Sequence, residues 1–372
     1  MVKLTILVTS IGSLVGQNII DALEYSAFSR RDRVNLVGTN SIANSPNNYR
    51  CDTCYLVPNT SSEDFAPIML DILSKVQPTL ILSGRDEDTE VMWRLIKSNP
   101  HIKGVFPYGN LDTIMYALDK WKTWEFAQKY NLPFARTFNI EDYTKESLGR
   151  FVQTVGFPMI AKPVRGFASK GVYFIRNWEQ LERVLEFDNY ILQEYLGKSE
   201  SLEVYFKQVD WLTPLFAHAP NIVHYSCHTI IGPNGQIAPI FISRNEHDSG
   251  KTIGFRKVEN STLEKLTHDY ARAIYAEGGA GPLTVQFRQD RHGNWKAQEI
   301  NMRTNGNTFP RLMMGQDDLG LIFKYFLPDV QFPVVEGDKS GRPGIISKSL
   351  LCNFIEDEVV NNFEKSKVWG HS

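Results

Sequence analysis

Glu299, Asn301 and Arg303 stand at every second position near the end of the stretch 283–303, LTVQFRQDRHGNWKAQEINMR. Alternate positions of a β-strand point to one face, so a carboxylate, an amide and a guanidinium share one surface. A turn at Arg291-His292-Gly293-Asn294 folds the stretch into a hairpin. Centred between His292 and Gly293, that turn sets Gln286 opposite Glu299, Thr284 opposite Asn301 and Arg288 opposite Ala297. The other face carries Leu283, Val285, Phe287, Ile300 and Met302, with Gln298 as the polar exception. Hard oxygen ligands such as those of Gln286, Glu299 and Asn301 suit Mg2+, which binds through few protein groups and substrate phosphates. Arg303 adds a planar fork that matches phosphate or carboxylate oxygens. A hairpin face of this kind can also be a solvated surface. The run into Asn305-Gly306-Asn307, in place of a plain charge mix, favours a metal–phosphate site.

Other stretches could serve such a site. Lys162 ends an apolar strand, 157–163, and is followed by Arg165-Gly166-Phe167-Ala168-Ser169-Lys170-Gly171-Val172. A loop with two glycines, a serine and two cations can offer backbone N–H groups and charge to phosphates; the spacing is not that of a Walker loop, and no helix follows. The strand 190–196 ends in Gln193-Glu194-Tyr195-Leu196, and Glu200 lies in the turn beyond it. That strand end could cradle a base and a ribose. After the strand Leu80-Ile81-Leu82 come Ser83-Gly84-Arg85-Asp86-Glu87-Asp88. Arg85 and Glu87 sit where parallel sheets bind ligands, although Ser83 or Asp86 could equally serve as a helix N-cap. The loop 243–252 between two strands holds Arg244 and Lys251, and His224 and His228 alternate on a strand that reads as structural.

The elements that must position these residues begin with a buried strand at 3–9, a Gly12-x3-Gly16 turn and a helix to about residue 25, the opening of a doubly wound sheet. The glycines lack the third member of a dinucleotide fingerprint, and the second strand ends in Thr39-Asn40 without a ribose-binding acid; packing accounts for them better than NAD. A helix over about 62–75 and a strand at Gly104–Phe106 complete a first domain. Asp119-Lys120-Trp121 opens an amphipathic helix that stops at Asn131-Leu132-Pro133. The pair Cys51 and Cys54 lacks the helix N-terminus or second ligand pair that redox or zinc chemistry needs, and reads as part of a short strand.

The chain has 372 residues, 42% hydrophobic and 22% charged, with a net charge of −2. That length predicts two or three subdomains, and the balance gives no general nucleic-acid or membrane surface. Four cysteines in so long a chain form no disulfide framework, and no leader or membrane-spanning run is read, so a cytoplasmic protein is expected.

In order, Asp119-Lys120, Lys162-Pro163 with its loop, Gln193-Glu194-Tyr195-Leu196, Glu200, Gln286 and Glu299-x-Asn301-x-Arg303 resemble the ATP-grasp superfamily, most closely the branch of the carbamoyl-phosphate synthase large subunit. The resemblance covers about residues 1–325. It implies an α/β fold with α+β lobes: a doubly wound pre-ATP-grasp domain at 1–112, a small lobe with a phosphate lid at 113–190, and a large lobe with the metal site at 191–330. A C-terminal extension, 331–372, would pack on the body. Lys120 and Lys162 would contact ATP phosphates, with Arg165, Gly166, Ser169, Lys170 and Gly171 forming the lid. Gln193, Glu194, Tyr195 and Leu196 would hold the adenine, and Glu200 the ribose. Gln286, Glu299 and Asn301 would bind Mg2+, with Mn2+ as an alternative; glutamine stands at the first position where the family usually has an acid. Arg303 would stabilise an acyl phosphate, Arg244 and Lys251 would hold the acceptor carboxylate, and Arg85, Glu87, Asn305, Asn307 and Arg311 would touch substrate. The implied reaction is ATP-dependent carboxylate–amine ligation of small molecules, with release of ADP and phosphate, by a homodimer. Rival readings are carboxyl-phosphate chemistry as in the synthase, a non-catalytic ATP-binding protein, and an NAD enzyme.

Overall fold

The computed structural model describes residues 3–25, 30–141, 143–166, 170–198, 200, 202, 206, 223–248, 251–334, 344–349 and 353–370, except the side chains of 247, 248 and 251. Short apolar strands build the first part: Leu4–Val8 (β1), Val34–Asn40 (β2), Thr53–Leu56 (β3) and Leu80–Leu82 (β4), parallel in the order β3-β2-β1-β4. Parallel strands need both faces covered. Leu14–Glu24 (α1) covers Ile6, Val8 and Leu36 with Ile19, Ile20 and Leu23. On the other face Leu7, Val37 and Ile81 meet Met69 and Leu73 of Phe65–Val76 (α2) and Met92 of Asp86–Ser98 (α3). A Cβ on Gly16 would lie 2.2 Å from the Ile11 carbonyl oxygen, so the glycine lets α1 pack against its own entry loop. The expected strand at 104–106 is reduced to a single bridge, Val105 to Leu80, since Pro107 has no N–H with which to extend the ladder.

The second part follows Leu111–Leu118 (α4) and Lys120–Lys129 (α5). Thr137–Asn139 (β5), Met159–Pro163 (β6), Tyr173–Ile175 (β7) and Tyr190–Glu194 (β8) form an antiparallel sheet in the order β5-β8-β6-β7. Lys145–Val155 (α6) and Trp178–Val184 (α7) close one face, burying Leu148, Val152, Leu181 and Val184 on Met159, Ala161 and Leu192.

The largest sheet contains His224–Ile231 (β9), Phe241–Asp248 (β10), Lys251–Lys257 (β11), Gly281–Gln289 (β12) and Trp295–Asn301 (β13). Its order is β13-β12-β9-β10-β11-β14, where β14 is Ile346–Ser347 from the C-terminal segment. Ser261–Ala276 (α8) packs Leu263, Tyr270 and Ile274 on Leu283, Val285 and Phe287. Thr308–Met313 (α9) and Asp318–Phe326 (α10) lead back toward α1. The chain then returns to the first sheet: Asp357–Ser366 (α11) buries Phe363, and Val368–Gly370 (β15) pairs antiparallel with β3. Among the described residues no helix is long and apolar enough to cross a membrane.

The hairpin of β12 and β13 has the expected pairs Gln286–Glu299 and Thr284–Asn301, but Arg288 faces Lys296 instead of Ala297. A bulge at Gln298 accounts for the slip, because one extra residue on one strand shifts every pair beyond it. The bulge is pinned from outside the sheet: Ala297 N donates to Pro133 O (2.9 Å) and Ala135 N donates to Ala297 O (2.7 Å). Gly293 at φ +83 and the Asp290 carboxylate, which accepts from His292 N and Asn294 N, close the turn. Cys51 and Cys54 are buried, and the Cys51 sulfur together with burial pushes the Cys54 thiol well up, the reverse of what a reactive thiolate requires.

Candidate active site

Two lysines and one glutamate define the centre. Lys120 is the first residue of α5, whose N-cap Asp119 accepts from Trp121 N and Lys122 N (3.0 Å each). Its backbone N donates to Val164 O (3.0 Å) and its Nζ to Gly166 O (3.1 Å), so helix start and glycine loop are tied together. Lys162, near the end of β6, is 8% exposed, and its Nζ donates to Gln298 O at 3.3 Å. That carbonyl belongs to the bulge, so the irregularity that breaks the ladder supplies the lysine's anchor. Burial lowers the pKa of both lysines, Lys162 to about 7, and Glu299 offsets part of the shift in each. Their positive charges therefore converge on the Glu299 face of the hairpin.

On that face Asn301 Nδ2 lies 3.4 Å from Glu299 Oε1, and Gln286 stands opposite Glu299. The set fits Mg2+: hard neutral and anionic oxygens with a single carboxylate, a donor set that phosphate oxygens would complete. Among the described residues no cluster of three His, Cys, Asp or Glu side chains could hold a metal by itself, so any ion here would depend on the phosphates. Arg303 donates from Nη2 to Asp86 Oδ2 (2.5 Å) and from Nη1 to Thr304 O (2.9 Å), while its buried Nε has no hydrogen-bond partner. Asp86 is the first residue of α3, so the first domain supplies the carboxylate that holds this arginine.

Residues 117–268 match the family model of the ATP-grasp domain. The chain carries an ATP-grasp domain. No curated protein matches the chain in sequence. In fold it is similar to N5-carboxyaminoimidazole synthetase from Staphylococcus aureus, solved with ADP: TM-score 0.68, 16% identity, 94% of this chain and 83% of that one. The enzyme of the same kind from Aspergillus clavatus, solved with ADP and 5-aminoimidazole ribonucleotide, gives 0.64 at 12% identity, covering 92% and 81%. An L-amino acid ligase from Bacillus licheniformis gives 0.60 at 12%, covering 88% and 75%.

In the ATP-grasp domain the strand end 193–196 joins the small and large sheets. Gln193 Nε2 turns inward to Thr137 Oγ1 (3.0 Å), and Leu196 is buried in the large core. Glu194 accepts Lys296 Nζ at 2.7 and 2.8 Å and Arg136 N at 3.1 Å. Lys296 also lies 3.2 Å from Asp290. The Arg288 guanidinium sits over the Tyr195 ring at 5.3 Å. Alternation by itself would put Lys296 on the face away from Glu299; the bulge brings both to one face. Lys296 and Arg288 were missed in the sequence, where their only signal was adjacency to residues already singled out; Asp86 was noted in its charged strand-end run, but not as the partner of Arg303.

Other sequence-predicted residues lie apart from that centre or hold structural partners. Arg165 is exposed and pairs with Glu90 of α3 (3.2 Å). Gly166 supplies the carbonyl that receives Lys120, and Gly171 adopts φ +70 beside Tyr190. Lys170 and Glu200 are exposed. Ser169 and the Lys251 side chain lie outside the described residues. Arg244 is exposed on β10 opposite Arg256. Arg85 lies 4.0 Å from Glu87 at the entry to α3, where Arg85 is the N-cap position and neither Ser83 nor Asp86 caps the helix.

Arg311 departs furthest from its expected role, since a buried ion pair with Asp318 engages it. Its Nη1 also donates to Asn305 Oδ1 (3.0 Å), Asn305 Nδ2 donates to Thr284 Oγ1 (2.9 Å), and Thr284 Oγ1 meets His228 Nδ1 (2.8 Å). His228 Nε2 then comes within 3.1 Å of Asp318, which closes a buried ring of polar groups. Arg311 and His228 hold the Asp318 carboxyl down at about 2. An arginine committed in this way holds the loop 304–308 and is not free to meet a ligand.

Proposed function

We propose that this protein is an ADP-forming ligase that joins a small carboxylate to an amine through an acyl phosphate. The observation that carries the reading is the convergence of Lys120 and Lys162 on the Glu299–Asn301 face, with the orphaned Arg303 Nε beside it. A buried lysine such as Lys162, with half-buried Lys120 beside the same face, is costly without full charge compensation unless an anion arrives, and a triphosphate supplies one. The carboxylate oxygen attacks the terminal phosphorus of ATP, ADP leaves, and an acyl phosphate forms. The amine nitrogen then attacks the acyl carbon, loses a proton, and phosphate departs. Lys120 and Lys162 neutralise the phosphate oxygens, and Arg303, steadied by Asp86, donates to the acyl phosphate. Gln286, Glu299 and Asn301 would hold Mg2+ or Mn2+, which would supply further charge neutralisation on the phosphates. The chain contributes orientation and charge, with no covalent step of its own. Carboxyl-phosphate formation from bicarbonate is the second reading, suggested by the carboxyamino products in the names of two structural neighbours.

Phosphate release measured with pooled carboxylates, bicarbonate and amines tests both. Release that requires an acid and an amine together supports the ligase. Release with bicarbonate alone would favour the second reading, and tight ATP binding with no ADP formation across the panel would leave a binding protein.

A further inference from the structure

We propose that Lys348 binds the anionic group, a carboxylate or a phosphate monoester, of the substrate that meets ATP in this cleft. The inference rests on the ligase reading and adds the class of compound and the residue that selects it. Lys348 belongs to the C-terminal segment, beyond the matched domain and beyond the motifs read in the sequence. It follows β14, and its backbone N donates to Ile253 O (2.8 Å), so pairing with β11 fixes its place. Its Nζ reaches Gly306 O at 2.5 Å and Asn307 Oδ1 at 2.6 Å, in the loop that begins just after Arg303. Gly306 in turn packs against Leu14 at the start of α1. The ammonium is therefore placed where the first domain, the catalytic strand and the C-terminal segment meet.

Charge is the deciding point. The cations that hold the fold around the site have carboxylates, Arg303 with Asp86, Arg311 with Asp318 and Lys296 with Glu194, whereas Lys120 and Lys162, the pair assigned to phosphates, have backbone carbonyls only. Lys348 has two neutral oxygens, and among the described residues no carboxylate lies within ion-pair distance. Burial and the nearby Arg311 lower its pKa to about 8, as expected for a cation short of compensation. An ammonium has three donors, so one remains for a ligand oxygen. An anion docked there would restore neutrality and hold its bearer against the loop at Gly306 and Asn307 that follows Arg303.

The test is calorimetric titration of the whole chain in MgADP with amino acids, sugar acids and sugar phosphates. Their amides and unphosphorylated counterparts serve as neutral controls. At least one acid or phosphate should bind, its neutral counterpart about tenfold or more weaker, as loss of a charge-assisted contact implies. Lys348→Met should weaken that binding by about the same factor, Lys348→Arg should restore most of it, and MgATP affinity should stay within about twofold in both. The carboxylate and phosphate arms decide which anion is taken. Unchanged binding in Lys348→Met, a neutral best ligand, or no anion bound by the wild type would each overturn the proposal. Failure of the wild type to bind MgATP would count against the ligase reading instead, while the anion arm in nucleotide-free protein would still judge Lys348.

Discussion

Lys162 and Glu299 carry opposite halves of the chemistry, and each makes its own prediction. Glu299→Ala removes the single carboxylate on the strand-pair face. Phosphate release should fall by roughly three orders of magnitude, the several kcal/mol that a lost metal–phosphate clamp represents. Thermal unfolding should shift by no more than about 2 °C, because the side chain is partly exposed and holds no core contact. Undiminished turnover would remove Glu299 from the site. Lys162 predicts a pH effect. Its pKa is about 7 in the fold against an ordinary 10.5, so between those values the unfolded chain holds a proton that the folded chain lacks. Stability contributed at this site therefore rises with pH across that window, and the cost of burying the charge is complete below about 7. Triphosphate binding reverses the shift. At pH 8 MgATP binding should take up a proton, seen as a dependence of binding heat on buffer ionisation enthalpy. Lys162→Met should abolish that uptake and stabilise the nucleotide-free protein more at pH 7 than at pH 10.

At the scale of elements the bulge in β13 decides what the hairpin can do. It releases the Gln298 carbonyl to Lys162, bonds Ala297 to the chain at 133–135, and turns Lys296 toward Glu194. Deleting Gln298 would leave Gln286–Glu299, Phe287–Ala297 and Arg288–Lys296 as a regular ladder, with Lys296 still on the Glu299 face, but would remove the carbonyl that anchors Lys162. The deletion variant should therefore stay folded while the KM for ATP rises, because Lys162 is no longer held in place for the phosphates; an unchanged KM would show that the bulge does not position Lys162. Lys296→Met leaves Glu194 and Asp290 without their cation, and should cost about 1–3 kcal/mol in urea unfolding while raising the KM for ATP. A variant with unchanged stability and KM would show that the tie between Glu194 and β13 is dispensable.

At the scale of the molecule the C-terminal segment visits two distant sheets, as β14 beside β11 and as β15 beside β3. Phe363 is 1% exposed, and Tyr49 packs edge-on against both Phe363 and Trp369. Phe363→Ala should cost about 3–5 kcal/mol, the usual penalty for emptying an aromatic core position. MgATP affinity should be unchanged, because the cavity lies on the first sheet, away from the two lysines. A loss of affinity in step with stability would show that the first sheet and the nucleotide site are coupled through β3.

The order Lys120, Lys162, Glu194, Glu299, Asn301, Arg303 was legible in the sequence through its resemblance to the ATP-grasp motifs, while local periodicity placed the strand ends and helix starts that carry these residues. The same periodicity foretold Gln286 opposite Glu299, and the doubly wound start with its packing glycines. It could not foretell the bulge, since the partners that hold Ala297 lie more than 160 residues earlier, at Pro133 and Ala135. Nor could it foresee how Arg303 and Arg311 part: both follow the same strand, yet Asp86 of the first sheet's helix holds one and Asp318 the other. Lys348 carried no local signal at all. Alternation and turn chemistry act over a few residues and are written in the chain, whereas charge compensation is settled by which distant carboxylates the packed domains bring within reach.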